Sequence, residues 1–192
     1  MKTENLKLSG YLLIAVFVVP LLIAVAMYVM RDYIPATESV SRGELIHPAQ
    51  PIKTLEIQLA SNETLDLQSF AGKWTYLVYS PKGCDLQCEA SLFKLRQTKK
   101  ATGRESNRVQ SALLTDVNKV TSEILNRNQR TRIGQLLQFE IEDQPGKQKQ
   151  LENGVIYLID PIGNLMMKYD TSSTSRGMLK DIKKLLKISN IG

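Results

Sequence analysis

The chain has 192 residues, 43% hydrophobic, 23% charged and 6% aromatic, with 11 Gly, 7 Pro, 2 Cys and a formal net charge of +6. This composition excludes a collagen-like, disulfide-dense or wholly disordered chain, and its length allows one ordinary domain of roughly 100–200 residues with extra segments. The 25 Lys plus Arg are dispersed among 19 Asp plus Glu without a basic run, so the excess reads as solvated surface and no nucleic-acid partner is expected.

Residues 1–10 form a short leader, and residues 11–30 (YLLIAVFVVPLLIAVAMYVM) contain no charge. As a helix that run spans roughly 30 Å, the hydrocarbon thickness of a bilayer, which predicts a single transmembrane anchor. Pro20 removes one helical hydrogen bond but is tolerated in membrane helices. Lys2 and Lys7 followed by the small-x-small step Ala24-Val25-Ala26 also fit a cleaved signal, yet the apolar run continues past Ala26 to Met30, which favours a retained anchor. Basic residues are nearly balanced across the span, with Lys2 and Lys7 before it and Arg31 and Arg42 after it. The short leader and long C-terminal part favour an inside N-terminus. The expected location is a cell inner membrane, single-pass, with the domain in the periplasm or an equivalent compartment where a disulfide persists.

Residues 31–52 read as a linker, with Pro35, Gly43, Pro48 and no sustained periodicity. It holds the only histidine, His47, extended before Pro48 and read as exposed and idle. The domain then occupies residues 53–192. Residues 53–59 and 63–67 alternate polar and apolar on either side of Ser61-Asn62 and predict a hairpin. Residues 74–79 (WTYLVY) suit a buried central strand. A turn at residues 80–83 leads into a helix over 84–100, with Gly103 as its stop. Residues 108–114 read as a strand, residues 117–137 as a polar helix, and residues 154–159 and 164–169 as a hairpin about Asp160-Pro161-Ile162-Gly163. A final amphipathic helix carries Met178, Ile182, Leu185 and Leu186, with Ser173, Thr174 or Ser175 as its cap. The order is that of an α/β thioredoxin-like domain with an N-terminal β-hairpin extension.

The chemistry concentrates where the central strand hands over to a helix. Cys84 and Cys88 are four apart, on one helical face with Cα atoms roughly 6 Å apart, within reach of a disulfide. A thiol at a helix N-terminus is acidified by the dipole, here with Lys82 beside it, so the pair reads as a nucleophilic thiolate and its resolving partner. A static disulfide is the alternative. Two thiolates also suit Cu(I), whereas two Cys and one His are too few for a closed zinc site. No GxSxG, GxxxxGK[ST], HExxH or GxGxxG motif is present, which removes the common hydrolase and nucleotide-binding readings.

The CxxxC of Cys84 and Cys88 after WTYLVYS, together with GVIYLIDPIGNLMMKY, resembles the Sco/SenC proteins. These are membrane-anchored thioredoxin-fold factors that assemble the copper centre of cytochrome c oxidase, and the resemblance covers residues 55–188. It implies an oxidase subunit or another copper-assembly factor as partner, and copper held by Cys84 and Cys88 with a histidine. The chain departs from that pattern in two places: Glu89 stands where the family has proline after the second cysteine, and Glu152 stands near the position of the copper histidine. The domain holds no histidine at all, and Met166, Met167 and Met178 read as packing. The reading therefore moves from copper carriage to thiol–disulfide reduction of the oxidase subunit's cysteines, with Cys84 attacking, Cys88 resolving and no cofactor required. A Cu(I) chaperone using the same pair, and a docking factor with a structural disulfide, are the alternatives. The polar residues 140–153 read as a loop that either covers the cysteines or decorates the surface.

Overall fold

The computed structural model describes residues 2–29, 43–142, 151–189 and 191. The chain divides into two units, Met1–Ser39 and Val40–Gly192. The first contains one helix, α1 (Lys2–Val29), which runs through Pro20. The side chains described along its apolar run, residues 13–26, are all exposed. Among the described residues no helix is long and apolar enough to cross a membrane, and part of the expected anchor lies outside those side chains.

In the second unit the central strand is β3 (Trp74–Ser80), buried throughout except for the half-buried Tyr79. β1 (Glu44–Leu59), β2 (Thr64–Leu65), β4 (Val109–Thr115), β5 (Arg132–Ile141), β6 (Ile156–Ile159) and β7 (Asn164–Tyr169) join it in the order β2-β1-β5-β4-β3-β6-β7. β3, β4 and β5 are mutually parallel neighbours, whereas β6 and β7 run antiparallel. Period-two alternation divides the core between the two faces. Tyr76 and Val78 point with Leu113 and Leu158 toward α2 (Leu86–Ala101), α3 (Ser122–Arg127) and α4 (Ser175–Ile188), where Leu92, Leu95, Ile124, Met178, Ile182 and Leu186 complete one cluster. Leu77, Ala112 and Leu114 face the other way, onto Ile52, Leu55 and Ile57 of β1 and Phe139 and Ile141 of β5. Helices thus cover one face, and curled strands cover the other.

β1 makes that second layer possible. Its first half pairs with β7 (Glu44↔Lys168, Pro51↔Asn164) and its second with β5 (Thr54↔Glu140, Leu59↔Gly134), so one strand joins both sides of the sheet. The register shifts between Leu45 and Gln50, around Pro48, which has no N–H to give to a ladder. Residues 44–52, expected as linker, are therefore strand. Residues 31–42 lie outside the described residues. The predicted hairpin forms as Ile57↔Leu65 and Gln58↔Thr64, and the one at Asp160 forms with its carboxylate accepting from Ile162 N (3.0 Å) and Asn164 N (2.8 Å).

The helix expected over residues 117–137 is not there. A 3-10 turn (Val117–Lys119), the six-residue α3 and then β5 occupy the stretch. Asn128 ends α3, donating its side-chain amide to Ile124 O at 2.7 Å. Beyond it, Gly134 lies so close to β1 that a Cβ would stand 2.5 Å from Ile57 Cγ2 and 2.7 Å from Gln58 O. Burial against a partner strand outweighs the weak helical spacing of Ile133, Leu136 and Leu137. Of the segment 140–153, Glu140 and Ile141 end β5, and residues 143–150 lie outside the described residues.

Candidate functional site

β3 delivers the chain to the site. After Ser80 the backbone turns, Gly83 N donating to Ser80 O at 3.3 Å and Ser80 Oγ donating to Gly83 O at 2.7 Å. Gly83 has φ +114°, and a Cβ there would press on Lys119 Cβ at 3.2 Å, so both conformation and space call for glycine. Asp85 then caps α2: in extended conformation, its Oδ1 accepts the N–H of Cys88 at 2.9 Å. The helix begins at Leu86 rather than at Cys84 as expected, because the carboxylate at position 85 satisfies the first-turn donor.

Cys84 and Cys88 are joined in a disulfide with Cα atoms 5.1 Å apart, near the separation their spacing implies. Their environments differ. Cys88 is 0% exposed and belongs to the core cluster with Leu92 and Leu95, whereas Cys84 is half-buried at the edge of that cluster. Cys84 opens onto a shallow depression of about 300 Å³ bordered by Lys82, Asp85, Lys119 and Asn153. Leu86, between the cysteines in sequence, is 86% exposed.

Asn153 also borders a larger cleft of about 620 Å³ between the ends of β3 and β4 and the edge of β5. β4 and β5 pair through Ala112↔Arg132, Leu113↔Ile133 and Leu114↔Gly134, so β5 runs on past the end of β4, paired there with β1 among the described residues. Gln135, Gln138 and Thr115 line this cleft. Thr115 is 2% exposed, and its hydroxyl has no hydrogen-bond partner among the described residues.

The other sequence candidates lie apart from the disulfide. Glu152 points its carboxylate to Lys168 (Oε1 to Nζ, 3.7 Å), and its N–H donates to Tyr157 Oη at 2.9 Å. Lys168 also meets Glu44 at 3.3 Å, and the Glu44 hydrogen bond with the charge of Glu152 raises its ammonium above the ordinary lysine range. The residue bordering the depression is Asn153, one position on. The loop is set by Gly154 (φ +77°), whose N–H donates to Tyr79 O at 2.8 Å and which lies against the Gln87 side chain. The Asn-Gly turn signal before GVIYLI marks this loop, but its contact with α2 is tertiary. His47 is exposed on β1 and does not border the depression. Met178 is buried in the core and Met166 packs against it, as expected of packing residues. Among the described residues no group of three or more His, Cys, Asp or Glu is arranged to hold a metal ion.

A family model described as "Transmembrane-like, thioredoxin-like, C-terminal domain" matches residues 74–189. No curated protein sequence matches. Solved structures do. The apo Sco1 protein from Thermus thermophilus is 14% identical, with a TM-score of 0.57 over 79% of this chain and 99% of that one. Yeast Sco1 with copper bound is 13% identical, with a TM-score of 0.54 over 71% and 88%. A DsbF homologue from Corynebacterium diphtheriae is 12% identical, with a TM-score of 0.51 over 78% and 96%. At these identities the likeness is one of fold: the mixed α/β thioredoxin-like architecture expected from the element order is present, and its structural neighbours include the Sco proteins that the CxxxC and hairpin resemble.

Proposed function

The chain belongs to the family of transmembrane-like, thioredoxin-like C-terminal domains, and on that premise we propose that it is a membrane-anchored thiol–disulfide reductase that assists copper-centre assembly of cytochrome c oxidase. The observation that carries this reading is the unequal exposure of the two bonded cysteines, Cys84 facing the depression and Cys88 fully buried. In the reduced pair, the Cys84 thiolate attacks one sulfur of a partner disulfide and expels the other as a thiolate. Cys88 then attacks Cys84 in the mixed disulfide and releases the second partner thiol. Two electrons pass to the partner, and the chain is left with the Cys84–Cys88 bond present in this structure. A dithiol donor in the same compartment returns it to the reduced state.

The anchor belongs to the same proposal. It rests on the uncharged residues 11–30 and on the continuous helix Lys2–Val29. With the N-terminus inside, the domain lies in the periplasm or an equivalent compartment, where a disulfide persists.

The neighbouring yeast Sco1 structure holds copper, so carriage of Cu(I) on the same two thiolates is the second reading. It is the weaker one here because the third donor is not assembled: Glu152 is engaged by Lys168, and Asn153 supplies only an amide. A docking factor with an inert disulfide is the third, and the burial of Cys88 is the observation in its favour.

Replacing Cys88 by Ser separates the three. The reductase traps a mixed disulfide between Cys84 and an oxidase copper subunit in oxidase-expressing membranes. A chaperone loses stoichiometric Cu(I) binding without trapping, and a docking factor retains full assembly function even when both cysteines are replaced. Failure to trap any oxidase subunit overturns the proposal.

A further inference from the structure

A second cavity, of about 480 Å³, lies between the C-terminal half of α2 and the loop that follows α3. It shares no lining residue with the depression at the disulfide. Arg96, Lys99, Lys100, Arg127 and Arg130 line it, and among the described residues no carboxylate does. The remaining polar lining consists of hydroxyls and side-chain amides, including Ser111 and Thr131, whose hydroxyls are 3.1 Å apart.

Five cations line one concavity, Arg96 and Lys99 half-buried and Lys100, Arg127 and Arg130 exposed, and like charges gathered in this way repel one another. At Lys99, burial first, and then the charges of Arg130 in the cavity and of Lys73 and Arg132 outside its lining, hold the ammonium below the ordinary lysine range. Among the described residues only Arg127 has a carboxylate partner, the exposed Glu123. Lys99 and Lys100 stand in the last turn of α2, where cations complement the helix dipole. Arg127 stands likewise in the last turn of α3, paired with Glu123, which leaves Arg130, in the loop beyond α3, without such an account. Nor is Arg96 a loose surface side chain. Its guanidinium donates to Asn128 Oδ1, and the amide of the buried Asn128 is in turn fixed by its bond to Ile124 O at 2.7 Å. The result is an oriented guanidinium on the same helix as a half-buried ammonium that burial and then neighbouring cations depress, in a pocket whose other polar lining is cationic or neutral.

We propose that this cavity is an anion site that takes a phosphoryl group, held by Arg96, Lys99 and Arg130. Guanidinium groups meet phosphate oxygens bidentately, ammonium groups meet them as point charges, and the hydroxyls and amides complete a tetrahedral donor set. A bound phosphoryl anion offsets the repulsion among these like charges. The same chemistry is offered by free phosphate and by the headgroup of an anionic phospholipid.

The test uses the full chain in a non-ionic detergent at constant ionic strength, with thermal unfolding and calorimetric titration as readouts. The probes are inorganic phosphate, a short-chain phosphatidylglycerol and a short-chain phosphatidylcholine, beside the variants Arg130→Gln, Lys99→Gln and Lys99→Arg. Saturable binding of phosphate, or of phosphatidylglycerol but not phosphatidylcholine, is expected, weakened about tenfold by each Gln variant and largely retained by Lys99→Arg. Phosphate binding identifies a site satisfied by the free anion, and phosphatidylglycerol binding alone identifies a headgroup site; both support the proposal. No saturable binding by either anion, equal binding of phosphatidylcholine, or Gln variants that bind like the parent would overturn it. Loss of the disulfide or of the circular dichroism signal in a Gln variant moves the test to Lys99→Arg and to Arg96→Gln, which must show retained and weakened binding respectively.

Discussion

The carboxylate of Asp85 accepts the N–H of Cys88 at 2.9 Å, so the cap of α2 is also the clamp on the buried half of the disulfide. It sets two effects against each other. The cap starts the helix whose dipole favours a thiolate at Cys84, while its own negative charge, on the adjacent residue, disfavours one. Asp85→Asn keeps the cap and removes the charge. In the reduced protein it should lower the Cys84 thiol pKa, seen as faster alkylation at neutral pH and a profile shifted to lower pH. Asp85→Ala should lose the cap at a cost of about 1 kcal/mol in denaturant unfolding. An alkylation profile unchanged in Asp85→Asn means the carboxylate does not sense the thiol.

The position of Asn153 gives a sharp test of why the pair is read as a reductant. Asn153 borders the depression at Cys84, whereas Glu152 is turned to Lys168. An imidazole at 153 adds a third donor beside two thiolates, so Asn153→His should bind Cu(I) at least about tenfold more tightly than the parent, by anaerobic competition titration of the reduced chain. Glu152→His should give no such gain. Equal gains at both positions, or a gain only at 152, would contradict the loop placement.

Leu86 is an exposed apolar residue two positions after Cys84, the proposed nucleophile. Buried against a partner it contributes about 1.5–3 kcal/mol, and its exposure in the free chain makes its removal harmless to folding. Leu86→Asp should slow reduction of a protein disulfide about tenfold and leave reduction of a small-molecule disulfide unchanged. Equal slowing of both would place the effect on the thiol chemistry rather than on docking.

What the sequence discloses about this chain follows how local each signal is. WTYLVYS is buried on both faces and reads as a core strand without knowledge of its neighbours. The CxxxC and the Asp160 turn are equally local. β5 is not: Ile133, Leu136 and Leu137 fall at helical spacing, and only the close approach of Gly134 to Ile57 and Gln58 makes that stretch a strand. The same holds at the site, where the cysteines are visible in the sequence, but Asn153 shares the depression with Cys84 through a loop held by tertiary contacts, Gly154 N to Tyr79 O and Gly154 against Gln87.

Gly134 therefore carries a stability prediction of its own. The methyl of Gly134→Ala would meet both a side chain and a backbone carbonyl of β1, 2.5 and 2.7 Å away, and the carbonyl cannot rotate aside. The variant should be destabilised by about 1–3 kcal/mol in denaturant unfolding, with the disulfide intact. A variant as stable as the parent would mean that the β1–β5 ribbon shifts freely, and the strand assignment of this stretch would lose its physical basis.

Alkaline pH probes the helix-covered face of the sheet. The Tyr76 and Tyr169 rings lie with centroids 6.0 Å apart, and the Tyr76 hydroxyl donates to Met178 O at 3.3 Å. Burial, more than any other cause, raises both phenols; Asp181 adds to the rise at Tyr169, and Tyr169 itself to the rise at Tyr76. A folded-state pKa above the unfolded value of about 10 means that the neutral phenols stabilise the fold fully below pH 10, and that this contribution is lost as pH rises beyond it. Denaturant stability should accordingly fall from about pH 10 upward, where an exposed tyrosine would contribute no slope. Tyr169→Phe cannot ionise and removes the charge that raises Tyr76, so its stability should fall less steeply over the same range, whatever its absolute value. Parallel slopes for the parent and Tyr169→Phe would show that the alkaline transition is governed elsewhere, and would detach this tyrosine pair from the stability of the site-bearing face.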